Sequence, residues 1–234
     1  MINYAHRGAS EFYPENTLYS FYMGLEMKAD GIETDIQRTK DGVLVLFHDD
    51  TLKRILGLEG RIRDYSYADL LRMDFGIFKG ERFANEKIVT LEEFLKHFGA
   101  KDVQLALEIK QYGIEKEVLA MIDRFSVRDK TIVTSFNWDS IVDLRALDSE
   151  IRLGYLARQV DDELPEKLLR HRIQQLCPKA ADFTDEMNQK ARALGLSVRF
   201  WGVSSEELML KGIRMGVDGM TMNNPAALCK ALEK

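Results

Sequence analysis

The stretch QLALEIKQYGIEKEVLAMIDRFSVRDKTIVTSFNWDSIVDLRALD, residues 104–148, decides the fold. It contains two short extended runs, at 104–109 and 131–135, and a longer amphipathic run follows each of them, at 114–125 and 137–148. Strands that alternate with helices in this way are typical of a parallel sheet with crossover helices. The stretch therefore predicts two consecutive strand–helix units of an α/β protein.

The same alternation continues in both directions from this stretch. Further strands are predicted near 2–6, 31–36, 152–156, 173–177, 197–202 and 217–221. Further helices are predicted near 15–28, 91–98, 162–170, 184–194, 204–213 and 224–232. The unit count is close to eight, and 234 residues is close to the size of a minimal barrel of this kind. We therefore predict an α/β fold, a (β/α)8 TIM barrel, with residues 1–234 forming a single domain.

One segment departs from this alternation. The turn Lys40-Asp41-Gly42 lies between two extended runs and favours a hairpin with residues 43–47. The following stretch, about 50–90, is long, charged and rich in glycine, and its one short helical pattern runs from Tyr67 to Met73. We interpret it as a small insertion in the second βα connection. In a barrel it would lie at the carboxyl ends of the strands, where it could form a wall or lid of a pocket.

Composition excludes several classes of function. The chain has 33 Lys and Arg against 38 Asp and Glu, a net charge of −5, so no nucleic-acid partner is expected. No apolar run approaches the roughly 18 residues that cross a bilayer, so stable membrane insertion is not expected either. The first predicted strand begins near residue 2, which leaves no room for a secretory signal, and we expect a cytoplasmic protein. Nothing in the sequence indicates an oligomeric state.

Three carboxylates stand at predicted strand ends. Glu33 and Asp35 are two residues apart on one strand, so their side chains leave the same face about 7 Å apart and can reach one ion. A neighbouring strand could bring Glu108 to the same place. Three hard oxygen donors suit Mg2+ or Ca2+, and a cation would offset their mutual repulsion. The alternative is that Glu33 and Asp35 are two solvated carboxylates.

Two histidines, His6 and His48, each follow an apolar strand where a pocket should open. An imidazole both accepts and donates a proton near neutral pH, as a displacement at phosphorus requires on its two sides. A hydrogen-bonded structural histidine is the alternative for each of them.

Two cations accompany these residues. Lys110 projects to the same face as Glu108, where it could neutralise a carboxylate or a phosphate oxygen. Arg7 would point away from His6 in a regular strand, so a shared role requires the chain to turn at Gly8. Its guanidinium matches two phosphate oxygens but could equally clamp a carboxylate such as Glu15.

The order of these motifs resembles the glycerophosphodiester phosphodiesterase family, in its bacterial cytoplasmic type. The resemblance rests on His6-Arg7-Gly8-Ala9, Pro14-Glu15-Asn16-Thr17, Glu33-Thr34-Asp35, His48-Asp49 and Glu108-Ile109-Lys110. Later motifs, among them Ser135-Phe136, Trp201 and Gly216-Val217-Asp218-Gly219, extend it from about residue 3 to 228. One departure is Met220-Thr221-Met222-Asn223, where a Met replaces a usual Thr. Because Asn223 remains, we expect altered packing rather than lost catalysis.

The resemblance implies a (β/α)8 barrel with an insertion in an early βα loop, and it implies roles for individual residues. Glu33, Asp35 and Glu108 match divalent-metal ligands, and His6 and His48 match a general acid/base pair. The remaining matches are the phosphate-binding Arg7 and Lys110, and Trp201 near the glycerol end of the pocket. For Trp201, plain core packing is an equal alternative.

The implied activity is metal-dependent hydrolysis of a small glycerophosphodiester to glycerol 3-phosphate and an alcohol. The sequence leaves open the headgroup, the choice between Mg2+ and Ca2+, and which histidine is the acid. It also leaves open whether the nucleophile is the glycerol 2-hydroxyl, through a cyclic phosphate, or a water molecule. Alternatives are a phosphodiesterase acting on lysophospholipids or other phosphodiesters, and a non-catalytic barrel that binds phosphodiesters.

Overall fold

Eight parallel strands form a closed barrel in a computed structural model that describes residues 1–233. Strand β1 pairs with both β2 and β9, which closes the ring, and β3 pairs antiparallel with β2 outside it. The strands are β1 (Ile2–His6), β2 (Gly31–Arg38), β3 (Leu44–Leu46), β4 (Gln104–Ile109), β5 (Thr131–Ser135), β6 (Arg152–Ala157), β7 (Gln175–Pro178), β8 (Ser197–Phe200) and β9 (Gly219–Met222). The structure thus confirms the predicted (β/α)8 TIM barrel.

One barrel helix follows each of the eight parallel strands in the chain. They are α1 (Leu18–Glu26), α4 (Leu91–Phe98), α5 (Glu115–Arg124), α6 (Trp138–Leu147), α7 (Leu164–Arg170), α8 (Asp185–Ala193), α9 (Glu206–Met215) and α10 (Pro225–Leu232). Their apolar faces pack against the strands and one another; for example, Phe94 of α4 lies edge-on to Phe21 of α1, with ring centroids 4.9 Å apart. No helix within residues 1–233 has the length and hydropathy needed to cross a membrane.

The predicted start of the first helix was wrong. Helix α1 begins at Leu18, not at residue 15, and Thr17 caps it by accepting a hydrogen bond from the Ser20 backbone N–H. Asn16 has a φ of 57°, a left-handed conformation that cannot be part of a right-handed helix. Asn16 therefore belongs to the loop before α1.

The second βα connection contains the predicted hairpin and insertion. Gly42 has a φ of 89° in the turn between β2 and β3. The insertion holds more helix than the sequence indicated, because α2 (Lys53–Leu56) and three 3-10 turns accompany α3 (Tyr67–Leu70). Helix α2 and the 3-10 turns are too short to show a helical period in the sequence. The insertion has its own apolar cluster, formed with β3 and its flanks by Val45, Phe47, Leu52, Ile55, Ile62, Leu70, Phe75 and Ile88.

A charged side chain occupies the barrel interior. Arg199 of β8 is 1% exposed, and its guanidinium lies 5.3 Å from the centroid of the Tyr4 ring on β1. It donates hydrogen bonds to Gln175 Oε1 (3.0 Å) and Thr221 Oγ1 (2.7 Å), on the two neighbouring strands. Arg199 forms no ion pair within residues 1–233. Its charge therefore acts on the barrel interior at longer range.

We expect replacement of Gly8 by alanine to destabilise the fold strongly. Gly8 has a φ of 85°, and a Cβ added there would lie 2.3 Å from Ser20 Oγ and 2.4 Å from the Ser20 carbonyl carbon in α1. The substitution combines an unfavourable left-handed conformation with a steric clash, so we expect a loss of about 2–4 kcal/mol in the free energy of unfolding, measured by urea denaturation.

Gly57→Ala provides a matched control. Gly57 has a φ of 68°, but no atom lies within 4 Å of a Cβ added there, so only the conformational cost of about 1–2 kcal/mol applies. Equal losses in the two variants would contradict the proposed close contact between Gly8 and α1.

Candidate active site

Three buried carboxylates lie together at the carboxyl ends of two paired strands. Glu33 and Asp35 are on β2 and Glu108 is on β4, and Asp35 is the register partner of Glu108. Each supplies a carboxylate oxygen to a group whose atoms all lie within 4.8 Å of one another. Glu33 Oε2 and Asp35 Oδ1 are buried and have no hydrogen-bond partner. Unsatisfied, hard oxygen donors at this spacing fit a divalent cation.

The surroundings of the cluster disfavour the ionised form of two of its three carboxylates. Burial, with Asp35 and Glu108 nearby, raises the pKa of Glu33 well above its usual range. Burial and the charge of Asp35 raise the pKa of Glu108 to about 7, against the opposing influence of Lys110. Burial also acts to raise the pKa of Asp35, but Arg7 and other nearby cations outweigh it and lower that pKa to about 2. Asp35 is therefore the one carboxylate of the three that its neighbours hold firmly ionised.

His6 ends β1 beside this cluster. Its Nδ1 lies 2.5 Å from Asn223 Oδ1, an oxygen that can only accept a hydrogen bond, so Nδ1 carries the proton. Its Nε2 lies 3.8 Å from Glu33 Oε2 and is left to accept a proton. Burial and the charge of Arg7 lower the pKa of His6 to about 3, which keeps the ring neutral.

Arg7 turns the chain immediately after the strand. The predicted turn at Gly8 starts one residue earlier, because Arg7 itself has a φ of 55°. Its Nε lies 3.1 Å from Asp35 Oδ2, and its Nη1 donates to Glu15 Oε1 at 3.0 Å. The contact with Glu15 considered from the sequence is therefore present, alongside a direct contact with the carboxylate cluster.

Asn16 is a site residue that the sequence did not reveal. Its side-chain amide donates to Asp35 Oδ2 at 3.0 Å and accepts from Thr34 Oγ1 at 2.8 Å, so it fixes the orientation of a carboxylate in the cluster. Its position next to Thr17 indicated a helix start instead. A left-handed conformation, which asparagine adopts more readily than most residues, brings the side chain back toward β2.

A cleft of about 860 Å³ opens beside Glu108. His48 lines it and its Nδ1 lies 2.7 Å from Asp49 Oδ1. Lys110 also lines it, with Nζ 3.0 Å from Glu108 Oε1. The cleft therefore contains an imidazole, a cation and an edge of the carboxylate cluster.

Aromatic side chains form another part of the cleft wall. Trp201 is half-buried, donates from Nε1 to Ala157 O at 3.3 Å, and lies edge-on to Phe136 with centroids 5.1 Å apart. The Arg158 guanidinium lies 4.4 Å from the centroid of the Phe136 ring. Trp201 thus both packs against the barrel and faces the cleft.

Comparison with known proteins agrees with this geometry. The sequence profile of the glycerophosphoryl diester phosphodiesterase family matches residues 6–227. A glycerophosphodiester phosphodiesterase of Caldanaerobacter subterraneus subsp. tengcongensis is 34% identical over 235 residues, which cover 98% of this chain and 97% of the relative.

Solved structures show the same similarity. An Oleispira antarctica phosphodiesterase, determined in complex with the product sn-glycerol-3-phosphate, has a TM-score of 0.88 and 29% identity, covering 99% of this chain and 96% of its own. A glycerophosphodiester phosphodiesterase of Thermotoga maritima has a TM-score of 0.81 and 27% identity, covering 99% and 98%. The motif order, the barrel and these matches lead to one conclusion: the chain belongs to the glycerophosphoryl diester phosphodiesterase family.

Proposed function

We propose that this protein hydrolyses glycerophosphodiesters to glycerol 3-phosphate and an alcohol, using a divalent cation held by Glu33, Asp35 and Glu108. The observation that carries the proposal is the buried carboxylate cluster, with two oxygens lacking partners and the His6 Nε2 3.8 Å from one of them. Membership of the family and the product named for the Oleispira relative support the choice of substrate.

The bound ion would polarise a phosphoryl oxygen and offset the charge of the carboxylates. Lys110 and Arg7, the cations nearest the cluster, would neutralise charge that develops on the phosphoryl group. Hard oxygen donors favour Mg2+ or Ca2+ over softer metals, and the donor set is compatible with both.

The two histidines have different partners, and this difference supports different roles. The neutral amide oxygen of Asn223 fixes the tautomer of His6, which leaves Nε2 with a lone pair that can accept a proton beside the carboxylate cluster. The carboxylate of Asp49 lies 2.7 Å from His48 Nδ1 and orients that ring at the wall of the cleft, beside Lys110. We therefore assign His6 as the general base that activates the nucleophile and His48 as the general acid that protonates the leaving alkoxide.

The mouth of the cleft favours small polar headgroups over acyl chains. Asp50 and Thr51 of the insertion, with Asp49 just before it, contribute two carboxylates and a hydroxyl to the lining beside Lys110, and polar groups of this kind suit a small polar headgroup better than a lipid tail. Lysophospholipid hydrolysis is therefore the weaker alternative. A cytoplasmic location is also part of this proposal, and the two unpaired cysteines, Cys177 and Cys229, are compatible with a reducing compartment.

The reaction is tested by incubating purified protein with glycerophosphocholine in Mg2+, in Ca2+ or in chelator, and by measuring released glycerol 3-phosphate. We expect release that depends on the added ion. Full activity in chelator would contradict the metal-dependent mechanism, and no release with any glycerophosphodiester would contradict the substrate class.

Replacing either histidine by glutamine should lower kcat by roughly 100- to 10,000-fold, because each ring transfers a proton in the transition state. The unfolding temperature should change little, since both side chains are partly exposed. His97→Gln is the control, because His97 lies on the outer helix α4 and contacts Tyr22. A His6 or His48 variant with near wild-type turnover would remove that residue from the mechanism.

Glu33→Gln should weaken metal binding without lowering the unfolding temperature of the metal-free protein. It removes a ligand and should weaken Mg2+ or Ca2+ binding by at least about 10-fold in titration calorimetry. It also removes a source of repulsion in a buried cluster, so the metal-free unfolding temperature should stay equal or rise. Glu117→Gln, on the surface, is the control. An unchanged metal affinity would exclude Glu33 as a ligand.

A further inference from the structure

Arg54, in helix α2 of the insertion, contacts two carboxylates from different loops. Its Nε donates to Asp49 Oδ2 at 2.7 Å, and its Nη2 donates to Asp49 Oδ1 at 2.9 Å. Its Nη1 donates to Glu15 Oε2 at 2.7 Å, and Nη2 also donates to Glu15 Oε1 at 2.8 Å. One guanidinium therefore forms a two-bond contact with each carboxylate.

Each of these carboxylates also contacts a residue of the proposed reaction. Asp49 Oδ1 lies 2.7 Å from His48 Nδ1, and Glu15 Oε1 accepts a hydrogen bond from Arg7 Nη1 at 3.0 Å. Arg7 in turn lies against Asp35 of the carboxylate cluster, 3.1 Å away. A continuous series of charged contacts thus runs from the imidazole of His48, through Arg54, to the proposed metal site.

We propose that Arg54 is a positioning residue that holds His48 and Arg7 in fixed relative geometry across the mouth of the barrel. The inference rests on the proposed function, because it assigns Arg54 to the same reaction. Arg54 itself acts only through Asp49 and Glu15.

The chemistry of the contact requires an arginine. Glu15 precedes α1 in the first βα loop, whereas Asp49 follows β3 in the second βα connection. Two ionised carboxylates have no hydrogen-bond donor, so a cation must join them. The guanidinium is planar and offers donors along two edges, whereas the ammonium of a lysine is a single point of charge. Both carboxylates are mostly buried, with side chains 14% and 19% exposed. Removing Arg54 would leave Glu15 paired with Arg7 and Asp49 paired with His48, but nothing would then hold the two pairs together.

The placement of Arg54 argues against a role in overall stability. Its side chain is 45% exposed, and its hydrogen bonds go to the carboxylates of Asp49 and Glu15. The neighbouring Ile55 is 5% exposed and anchors α2 in the insertion's own apolar cluster. The backbone of α2 therefore holds Arg54 in place, and the side chain can be replaced without removing a packed group.

Arg54→Ala should lower kcat/KM by about 10- to 100-fold, the range expected when a group that orients a reacting residue is lost. The unfolding temperature should stay near that of the wild type. Lys53→Ala is the matched control: it removes the adjacent cation, whose exposed partner is Glu59, and should leave activity unchanged.

Two further measurements separate positioning from a merely structural effect. Guanidinium ion at millimolar concentration should restore part of the activity of Arg54→Ala, while potassium chloride at equal ionic strength should not. Arg54→Lys should recover only part of the loss, because one ammonium cannot pair with both carboxylates in two-bond contacts. The combined variant Arg54→Ala with Glu15→Gln should lose less than the product of the two single losses.

The outcomes distinguish this inference from the proposed function. If the wild type releases glycerol 3-phosphate and Arg54→Ala matches it, or if Arg54→Lys is fully active, the positioning role is wrong. If the wild type is inactive, the proposed function fails, and affinity for glycerol 3-phosphate measured by calorimetry then tests Arg54 alone. Weaker binding in Arg54→Ala than in Lys53→Ala would support its influence on Arg7, and equal binding would overturn it.

Discussion

The mutual repulsion of three buried carboxylates is the constraint on which the rest of the site depends. Glu33, Asp35 and Glu108 approach one another where β2 and β4 end, and a barrel interior screens their charges poorly. Positive charge surrounds them: Arg7 pairs with Asp35, Lys110 pairs with Glu108, and the buried guanidinium of Arg199 favours the ionised form of Glu33. These cations come from β1, β4 and β8 or the residues that follow them, so strands from different parts of the barrel together offset the charge of the cluster.

The regular part of the fold could be predicted because its signals are local. A strand or helix of the barrel has enough residues to show a period of hydrophobic burial, and glycine and capping residues mark its ends. The carboxylates and histidines were found for a related reason: parallel strands bring their carboxyl ends to one edge, so polar residues that follow apolar strands meet there. The contact between Glu108 and Lys110 follows from the alternation of side chains along one strand.

The residues that were missed depend on contacts between distant parts of the chain. Asn223 was singled out through the family resemblance, but its contact with His6, 217 positions away, was not predicted because neither residue's neighbours in sequence indicate the other. Asn16 was predicted at the start of the first helix, near 15–28, and only its backbone conformation and its hydrogen bond show that it serves Asp35. Of the helical pieces in the insertion, α3 was predicted within Tyr67 to Met73, whereas α2 and the three 3-10 turns were missed because three or four residues are too few to establish a period.

The separate apolar cluster of the insertion has a consequence for how such a barrel can diversify. Leu44 and Leu46 of β3 pack in the barrel core, whereas the segment after β3 buries its apolar side chains in a cluster of its own with Val45. Mutations within that cluster therefore need not be matched by changes in the barrel core. A segment grafted from a relative could change the cleft wall while leaving the carboxyl end of each barrel strand in place. The ion pairs of Arg54 with Asp49 and Glu15 set the condition for such a graft, since they join the insertion to the loops that follow β1 and β3.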